Sequence, residues 1–302
     1  MSVATDTARE VTSAVATGKS RDRNLASIFF LMALWFSLFF GVMVLVVLIV
    51  DTAITGSPRF DTELITNYDS ILFPEEYGFR AGILGTLWLM VCTAALAVPL
   101  GIAAALYLEE FADKRKWHNR LIEVNLQNLA AVPSIIYGLL AVAAVALIGF
   151  DRSDIVISGA VALALLILPV IIITTREAVR AVPQEIRQGS LALGATVWQT
   201  TSRQTLPSAI PGIATGTILG LSRAIGEAAP LVVLGVAGSV GFSPTGLTSQ
   251  FTALPIQIYS LSSQSQEELR VAASAAIILL LLMVLSLNAI AIIIRNKFQR
   301  TW

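Results

Sequence analysis

Long stretches without charged side chains dominate the hydrophobic pattern of this chain. Five runs of at least 21 residues without Asp, Glu, Lys or Arg cover residues 25–50, 81–108, 124–150, 155–175 and 271–294. Each reaches the length of about 20 apolar residues that an α-helix needs to cross a bilayer. A sixth apolar region at 210–240 is interrupted by Arg223 and Glu227. The pattern therefore predicts an all-α integral membrane protein with six transmembrane helices.

The first uncharged run has the basic flank of a signal peptide but not its length. Arg21 and Arg23 precede the run, yet a signal core spans only about 7–15 residues, and no clear A-x-A site follows. We therefore expect a first transmembrane helix at 25–50, preceded by a cytoplasmic tail at 1–24. The runs also lack the alternation of barrel strands, so they favour helices over a β-barrel.

Basic residues are distributed unevenly between the loops that six spans would leave on the two sides of a membrane. One side holds 15 Lys and Arg residues and the other holds four, with Arg223 between them. By the positive-inside rule the basic side is cytoplasmic, which places both termini in the cytoplasm. The loop at 51–80 is then extracytoplasmic. Residues 81–302 form a core of five spans, with a cytoplasmic loop at about 174–211.

Composition excludes several other classes of protein. Hydrophobic residues make up 56% and charged residues 13%, whereas soluble domains carry about 25% charged residues. The formal net charge of zero argues against a nucleic-acid binder, which would be basic. The single Cys92 and the single His118 exclude an internal disulfide and a multi-histidine metal centre. No G-x-x-x-x-G-K-[ST] sequence occurs, so we expect no ATP site and no enzyme activity in this chain.

The cytoplasmic loop at 174–211 is too long for a simple connector and carries helix signals of its own. Pro183 ends the fourth span and starts a short helix, because proline suits only the first turn. Gly194 divides the remainder into two segments, and Leu206-Pro207 is expected to end the second. The apolar residues that helical spacing places on one face are Ile186, Leu193 and Val197. Two interpretations follow: a surface amphipathic helix pair, or a docking element for a cytoplasmic partner.

Within this loop Gly194 precedes Leu206 and Pro207 at a fixed spacing. The stretch resembles the EAA loop of ABC-importer permeases, which reads E-A-A, three residues, Gly, nine residues, then I-x-L-P. The chain departs from it at residues 188–190, where Gln-Gly-Ser replaces E-A-A, and at Gln204, which replaces the Ile. The resemblance implies a type I ABC-importer permease fold, with a coupling helix that sits in a cleft of an ATP-hydrolysing subunit. The residues that it assigns to this coupling loop are Gln188, Gly189, Ser190, Leu191, Ala192, Leu193, Gly194, Ala195, Leu206 and Pro207.

Two further segments carry a more specific resemblance. Residues 222–231 read S-R-A-I-G-E-A-A-P-L, and residues 175–183 read T-R-E-A-V-R-A-V-P. They are similar to the R-A-x-G-E-T-A-P-L and T-x-E-A-L-R-x-V-P segments of the phosphate-transport permeases of the PstA and PstC type, with Ala228 in place of the Thr. Chain length, six spans and a short N-terminal tail favour the PstA type. The resemblance implies a multi-pass subunit of a phosphate importer in a bacterial cytoplasmic membrane.

The resemblance also implies partners and cofactors. A second permease of the PstC type, two copies of an ATPase subunit of the PstB type and an extracytoplasmic phosphate-binding protein of the PstS type would complete the importer. ATP and Mg²⁺ would bind the ATPase subunit, and this chain would hold no cofactor of its own. Besides the lipid bilayer, no further partner is expected, and no nucleic acid.

Arg223 and Glu227 are the strongest candidates for chemistry. An arginine at mid-membrane costs about 2.5–3.5 kcal/mol to insert, and a spacing of four places both side chains on one helix face. One interpretation is structural: the pair fixes one helix against its neighbours. The other is conduction, in which the planar guanidinium of Arg223 binds phosphate oxygens while Glu227 holds it in position or competes for it. We favour conduction because apolar packing would fix a helix at lower cost.

Several alternatives are left open by the sequence. Arg176 and Arg180, at the cytoplasmic end of the fourth span, either form an anion exit or, as we favour, reach lipid head groups. Charge chemistry does not separate phosphate from molybdate or sulfate. An ion-coupled carrier or a membrane enzyme is a further alternative. The carrier would need no docking loop, and the enzyme would need more convergent polar groups than Arg223 and Glu227.

Overall fold

The computed structural model describes residues 25–70, 73–113 and 115–298 of the chain. It divides into two compact units, residues 1–51 and residues 52–302. Within the described residues the ordered elements are helices, and extended pairing is limited to one antiparallel bridge between Ile155 and Gln250. The predicted tail at 1–24 lies outside the described residues. The all-α prediction is confirmed.

The N-terminal helix α1 spans Leu25–Gly56, six residues more than the uncharged run that predicted it. Its first 26 residues carry no charge, and together with Asp51 they make up the described part of the first unit. A 3₁₀ turn at Ser57–Arg59 and the short helix α2 at Glu63–Thr66 follow. Arg59 holds this loop together by donating to the carbonyl oxygens of Pro74 (2.7 Å) and Tyr77 (2.8 Å).

The second unit is a helical bundle. Its remaining helices are α3 Arg80–Leu106, α4 Trp117–Leu129, α5 Ser134–Leu147, α6 Val156–Arg180, α7 Gln184–Ala192, α8 Val197–Thr200, α9 Leu206–Ile225, α10 Ala229–Val233, α11 Leu254–Ser262 and α12 Glu267–Phe298. Two π-helices extend this set, Tyr107–Phe111 after α3 and Thr201–Thr205 after α8. Helix α6 lies at the centre: it packs against α3, α5 and α9, and its Leu163, Ile167 and Ile171 are fully buried.

Small residues set the distance between α6 and α9. Gly212, Gly216 and Gly220 recur every four residues on α9 and so share one helix face. A Cβ on Gly212 would meet Ala178 at 2.6 Å, and a Cβ on Gly216 would overlap Thr174. The three glycines therefore form a small-residue ridge that lets the two helices approach closely, as small residues do in membrane helix pairs.

A second close approach joins α3 to the first turn of α11 and to the segment just before it. Gly85 of α3 faces the carbonyl oxygen of Thr252, and Gly82 faces the side chain of Gln257, so a Cβ at either position would overlap its neighbour. The Thr86 hydroxyl accepts from the backbone N–H of Leu254 at 3.0 Å. This segment is therefore tied to the bundle and is not a loose loop.

Four helices are long and apolar enough to cross a membrane: Ser27–Arg59, Arg80–Phe111, Val156–Arg180 and Glu267–Lys297. The predicted third span at 124–150 is instead the pair α4 and α5, bent by 115° at a break before Ser134. Pro133 supplies the reason, because it lacks the N–H that would continue a helix. The predicted sixth region at 210–240 is broken after Ile225 into α9 and α10. The described residues thus contain four spans, or five with the bent pair, and the count of six stays a prediction.

In the loop at 174–211 the helices begin and end where the sequence predicted, except at the end of the loop. Helix α6 runs to Arg180, α7 begins after Pro183, and Gly194 separates α7 from α8. The prediction that Leu206-Pro207 ends the second segment is wrong. The backbone stays helical from α8 through the π-helix into α9. Pro207, which has no N–H to donate, directly follows the π-helix, where the regular hydrogen-bond pattern of an α-helix is already interrupted.

Candidate functional site

Arg223 lies on the last turn of α9, two residues before the helix ends at Ile225. A helix rises about 1.5 Å per residue, so Leu206 and Arg223 are about 25 Å apart along α9. The side chain is therefore near the end of α9 remote from the loop at 174–211. The apolar region at 210–240 is broken just beyond Arg223, and the depth of Arg223 in the membrane stays a prediction.

The predicted ion pair is present in a weak form. Arg223 Nε lies 3.5 Å from Glu227 Oε1, and the two side chains are 44% and 22% exposed. Glu227 is not on the same helix, since it follows Gly226 and only its backbone N–H bonds back, to Ala224 at 3.2 Å. A guanidinium has five N–H donors, and within the described residues Arg223 donates no hydrogen bond. Most of its donors are thus available to an anion.

Two helix breaks come together beside this pair. Pro230, in the first turn of α10, packs so tightly on α5 that a Cβ on Gly138 would meet the Pro230 carbonyl oxygen at 2.6 Å. Next to Gly138, the Tyr137 hydroxyl donates across the α4–α5 bend to the carbonyl oxygen of Leu129 at 2.6 Å. Discontinuous helices expose backbone polar groups inside membrane transporters. The location of Arg223 at such a junction suits ion passage better than simple helix fixation.

A polar link that the sequence did not reveal lies next to Arg223. The Ser222 hydroxyl donates to Asn288 Oδ1 at 2.6 Å and so connects α9 to α12. Both residues line a mostly apolar cavity of about 660 Å³ between α3, α9 and α12. Asn288 is uncharged, so it does not interrupt the uncharged run at 271–294 and the charge pattern does not reveal it.

The loop at 174–211 presents an exposed apolar surface, called the docking surface below. Its members are Ile186, Leu191, Leu193, Val197 and Trp198, all exposed. Leu193 is 91% exposed, and α7 buries none of its side chains. The face that the sequence predicted is therefore not covered by the described part of the chain. An exposed apolar patch of this kind marks an interaction site, which favours the docking interpretation.

Local signals explain the shape of this surface. Gly194 has φ +86°, a left-handed conformation that glycine adopts without strain and that commonly ends helices. Thr196 and Gln199 form a capping box at the start of α8: Gln199 N–H donates to Thr196 Oγ1 at 3.2 Å, and Thr196 N–H donates to Gln199 Oε1 at 2.9 Å. The Ser190 and Thr200 hydroxyls, 2.9 Å apart, hold α7 against α8.

The predicted coupling residues divide between two places. Residues 188–195 form the second half of α7 and its turn, beside the docking surface. Leu206 and Pro207 start α9, where Leu206 packs on Val179 and Val182 under the loop. The structure thus supports a docking position for the first group and a packing position for Leu206.

Arg176 and Arg180 are ion-paired within the chain. Arg176, 8% exposed, lies 2.6 Å from Glu123 Oε1 and 3.4 Å from Glu109 Oε2. Arg180 Nε lies 2.9 Å from Glu109 Oε1. The expectation that these arginines reach lipid head groups is wrong for the buried Arg176, because the carboxylates of α4 and of the π-helix after α3 hold it.

These long-range partners were missed because composition does not reveal which charges meet. Glu109 is 67 residues from Arg176 along the chain, and Glu123 is 53 residues away. The available signal was that Glu109 and Glu110 end the uncharged run at 81–108 on the side that holds Arg176. Carboxylates at that position are expected to form ion pairs with the nearby arginines.

Bundled apolar helices, a broken span that carries one charged pair, and a loop with an exposed apolar surface are typical of a membrane-embedded transport component. Residues 97–301 match the family described as binding-protein-dependent transport system inner membrane component. The match covers more than half of the chain, so the protein belongs to this family. It is therefore a multi-pass membrane protein, and the expectation of a permease is confirmed.

Individual relatives agree with the family. The chain is 37% identical to the phosphate transport system permease protein PstA 1 of Mycobacterium tuberculosis (strain ATCC 25618 / H37Rv) over 196 residues, or 63% of this chain and 61% of that protein. It thus spans less than two thirds of that relative. The PstA protein of Yersinia pestis is 30% identical over 226 residues, or 75% of each chain.

Solved structures show the same fold. The chain resembles a chain of a bacterial alginate ABC transporter in complex with its alginate-pentasaccharide-bound periplasmic protein, with a TM-score of 0.63. The likeness covers 95% of this chain and 99% of that one, at 19% identity. At that identity it supports the ABC-importer permease fold, and substrate has to be argued from other features.

Proposed function

We propose that this chain is a membrane-spanning permease subunit of an ATP-driven importer that moves inorganic phosphate into the cytoplasm of a bacterium. The observation that carries the proposal is Arg223 at a helix break, with guanidinium donors not used by the described residues and a single long contact to Glu227. The names of the M. tuberculosis and Y. pestis relatives support phosphate as the ion.

The proposed mechanism uses Arg223 as a transient anion ligand. A guanidinium matches two phosphate oxygens at once, and charge-assisted hydrogen bonds replace part of the hydration shell that the ion loses. Glu227 competes for the same donors, so it keeps the empty site from holding phosphate too tightly. The weak 3.5 Å contact suits this role, because a tight bidentate pair would not open for the ion.

The energy for transport comes, in this proposal, from a separate ATPase subunit that binds ATP and Mg²⁺. The docking surface on α7 and α8 is its contact, which explains why five large apolar side chains are exposed there. A second permease of the PstC type, two ATPase subunits of the PstB type and a phosphate-binding protein of the PstS type complete the importer in the bacterial cytoplasmic membrane. Residues Arg223 and Glu227 are the proposed conduction site.

Uptake by the complete complex in proteoliposomes tests the proposal. Arg223→Ala should lower phosphate uptake by about tenfold or more, because a hydrogen bond to a charged group contributes about 1.5–3 kcal/mol. Arg270→Ala removes an exposed arginine just inside α12 and should leave uptake unchanged. Phosphate uptake at the wild-type rate by an assembled complex that carries Arg223→Ala would contradict the conduction role. If the complex prefers molybdate or sulfate over phosphate, the site conducts another oxyanion.

A further inference from the structure

The π-helix after α3 presents two consecutive carboxylates to different helices. Glu109 and Glu110 lie in the middle of Tyr107–Phe111, and their side chains are 8% and 11% exposed. Glu109 binds arginines of α6, whereas Glu110 binds Arg187 of α7. Short π-helices inserted in α-helices are frequent at functional sites. This one joins the membrane helices to the loop that carries the docking surface.

Arg187 is the side chain that makes this connection. Its guanidinium lies 3.0 Å (Nη2) and 3.1 Å (Nε) from Glu110 Oε1. It also donates to the carbonyl oxygens of Val179 (2.6 Å) and Val182 (3.1 Å) at the end of α6, where the Val179 carbonyl oxygen also accepts from the backbone N–H of Val182 at 3.2 Å. One residue of α7 is therefore bound both to the end of α3 and to the end of α6.

Helix α7 depends on this contact because it has no apolar anchor. None of its side chains is buried, so hydrophobic packing does not fix it to the bundle. Its contact of Ser190 with Thr200 leads to α8, which continues as helix into α9 and whose Trp198 ring lies 6.2 Å from that of Phe111. Among the described residues, Arg187 adds to this route a hydrogen-bonded link from α7 to the ends of α3 and α6.

A second group of ion pairs joins the ends of α3, α4 and α6 near Glu110 to one another. Arg176 and Arg180 of α6 both reach Glu109 after α3, and both also approach Glu123 of α4. Helices α3 and α6 also share the largest helix-to-helix contact in the second unit. A force applied at Glu110 would therefore move the cytoplasmic ends of α3, α4 and α6 together.

The charge balance of this region argues against an anion exit. Three arginines (Arg176, Arg180 and Arg187) face four carboxylates (Glu109, Glu110, Glu123 and Glu177). Within these ion pairs of the described residues the arginines are matched by carboxylates, which would repel an anion. The arrangement suits a mechanical link better than an ion path.

We propose that the Arg187–Glu110 pair is a positioning joint that transmits movement of the docking surface to α3 and α6. Arg187 and Glu110 touch neither the transported ion nor ATP; they keep ATP hydrolysis and ion movement coupled. The joint rests on the proposed function, since it needs an ATPase subunit on the docking surface. It goes beyond that function by naming the residues through which the two processes communicate.

The test measures phosphate taken up per ATP hydrolysed by the complete complex in proteoliposomes. Arg187→Gln and Glu110→Gln should each lower this ratio about fivefold or more, as expected when a coupling between two sites is lost. The ATPase subunit should still co-purify, because the docking surface is unchanged. Arg115→Gln, which removes an exposed arginine from the α3–α4 loop, should keep the wild-type ratio. Wild-type ratios in both joint variants would overturn the proposal.

Two further variants separate the joint from a general loss of structure. The uptake-to-hydrolysis ratio of the double variant Arg187→Gln/Glu110→Gln should fall no lower than that of the worse single variant, because both changes remove the same Arg187–Glu110 contact. If the two effects multiply instead, the pair is not the joint. Arg187→Lys keeps a charge for Glu110 and should give a ratio between those of wild type and Arg187→Gln. A Lys variant no better than Gln would also overturn the proposal.

The same experiment distinguishes failure of the joint from failure of the proposed function. If the wild-type complex carries another oxyanion, the ratio is measured with that ion and the joint is still tested. If no ATPase subunit co-purifies with the wild-type chain, the proposed function fails and the joint fails with it. If wild type transports and the variants keep its ratio, only the joint fails.

Discussion

Asp154 connects two segments that lie far apart in the sequence. Arg152 donates to its two carboxylate oxygens at 3.1 and 2.9 Å, and Gln250 Nε2 donates to Oδ2. The bridge between Ile155 and Gln250 lies next to it. The hydrogen bonds from Arg152 lower the pKa of Asp154, which burial only partly opposes. The charged carboxylate therefore holds the α5–α6 turn against the segment before α11.

The sign of this effect gives a pH-dependent prediction. A folded-state pKa below the unfolded value of about 3.9 stabilises the folded state above that pH, and the stabilisation is lost as pH falls through the folded pKa. Asp154→Asn should therefore melt at a lower temperature than wild type at pH 7. The two melting temperatures should converge below about pH 4. Thermal unfolding in detergent, followed by tryptophan fluorescence, measures both.

Asp151→Asn is the matched control for this prediction. It removes a carboxylate from the same turn, but Asp151 is exposed and has no side-chain partner among the described residues. Its melting temperature at pH 7 should equal that of wild type. Equal melting temperatures for Asp154→Asn and wild type at pH 7 would show that the hydrogen bonds to Asp154 add no stability.

The pKa of Asp69 is shifted in the direction opposite to that of Asp154. Burial raises its pKa, and hydrogen bonds including one from the Ser239 hydroxyl only partly oppose the shift. Burial and the nearby Asp69 also raise the pKa of Tyr77 well above its usual value. Protonation of Asp69 as pH falls therefore favours the folded state. For this reason the comparison of Asp154→Asn with wild type is more informative than the acid stability of wild type by itself.

At the scale of elements, the glycine ridge on α9 leads to a packing prediction. An added Cβ at Gly216 would overlap the Thr174 side chain on α6, so Gly216→Ala must push the two helices apart. Overpacking of this kind typically costs about 1–3 kcal/mol. We expect a lower melting temperature and weaker recovery of the folded chain from membranes. Size-exclusion chromatography after heating measures the loss.

Gly41→Ala is the control for Gly216→Ala. Gly41 is also helical, but a Cβ there would have no heavy atom within 4 Å. Because alanine favours a helix over glycine by about 0.5–1 kcal/mol, Gly41→Ala should be neutral or stabilising. Equal behaviour of the two variants would mean that the ridge does not set the spacing of α6 and α9.

Hydrophobicity predicted well the helices that cross their whole uncharged run without a bend or break. Uncharged runs located α1, α3, α6 and α12 because a lipid-spanning helix is encoded in local composition. The bend between α4 and α5 was not predicted, since an uncharged run carries no information about direction. Pro133 was its local signal.

The candidate sites were predictable to the extent that their partners are close in sequence. The spacing of four between Arg223 and Glu227 predicted their contact, and Gly194 predicted the end of α7. The contact of Arg187 with Glu110 spans 77 residues and depends on how α3, α6 and α7 meet. Such pairings follow from tertiary packing, so a single sequence shows the charges without their partners.

At the scale of the whole molecule, the side of the membrane on which each loop lies is testable with single cysteines. In a Cys92→Ser background, cysteine at Leu193 (91% exposed) or Trp117 (76%) should be cytoplasmic, and cysteine at Ile148 (74%) or Phe242 (44%) should be outside. The 15 to 4 division of basic residues is the physical reason, because basic loops are retained in the cytoplasm. A membrane-impermeant thiol reagent on intact cells should modify only the second pair, while the Cys92→Ser parent stays unmodified. Modification of Leu193→Cys in intact cells would place the docking surface outside, where no ATPase could reach it, and would contradict both the six-span topology and the coupling role of α7.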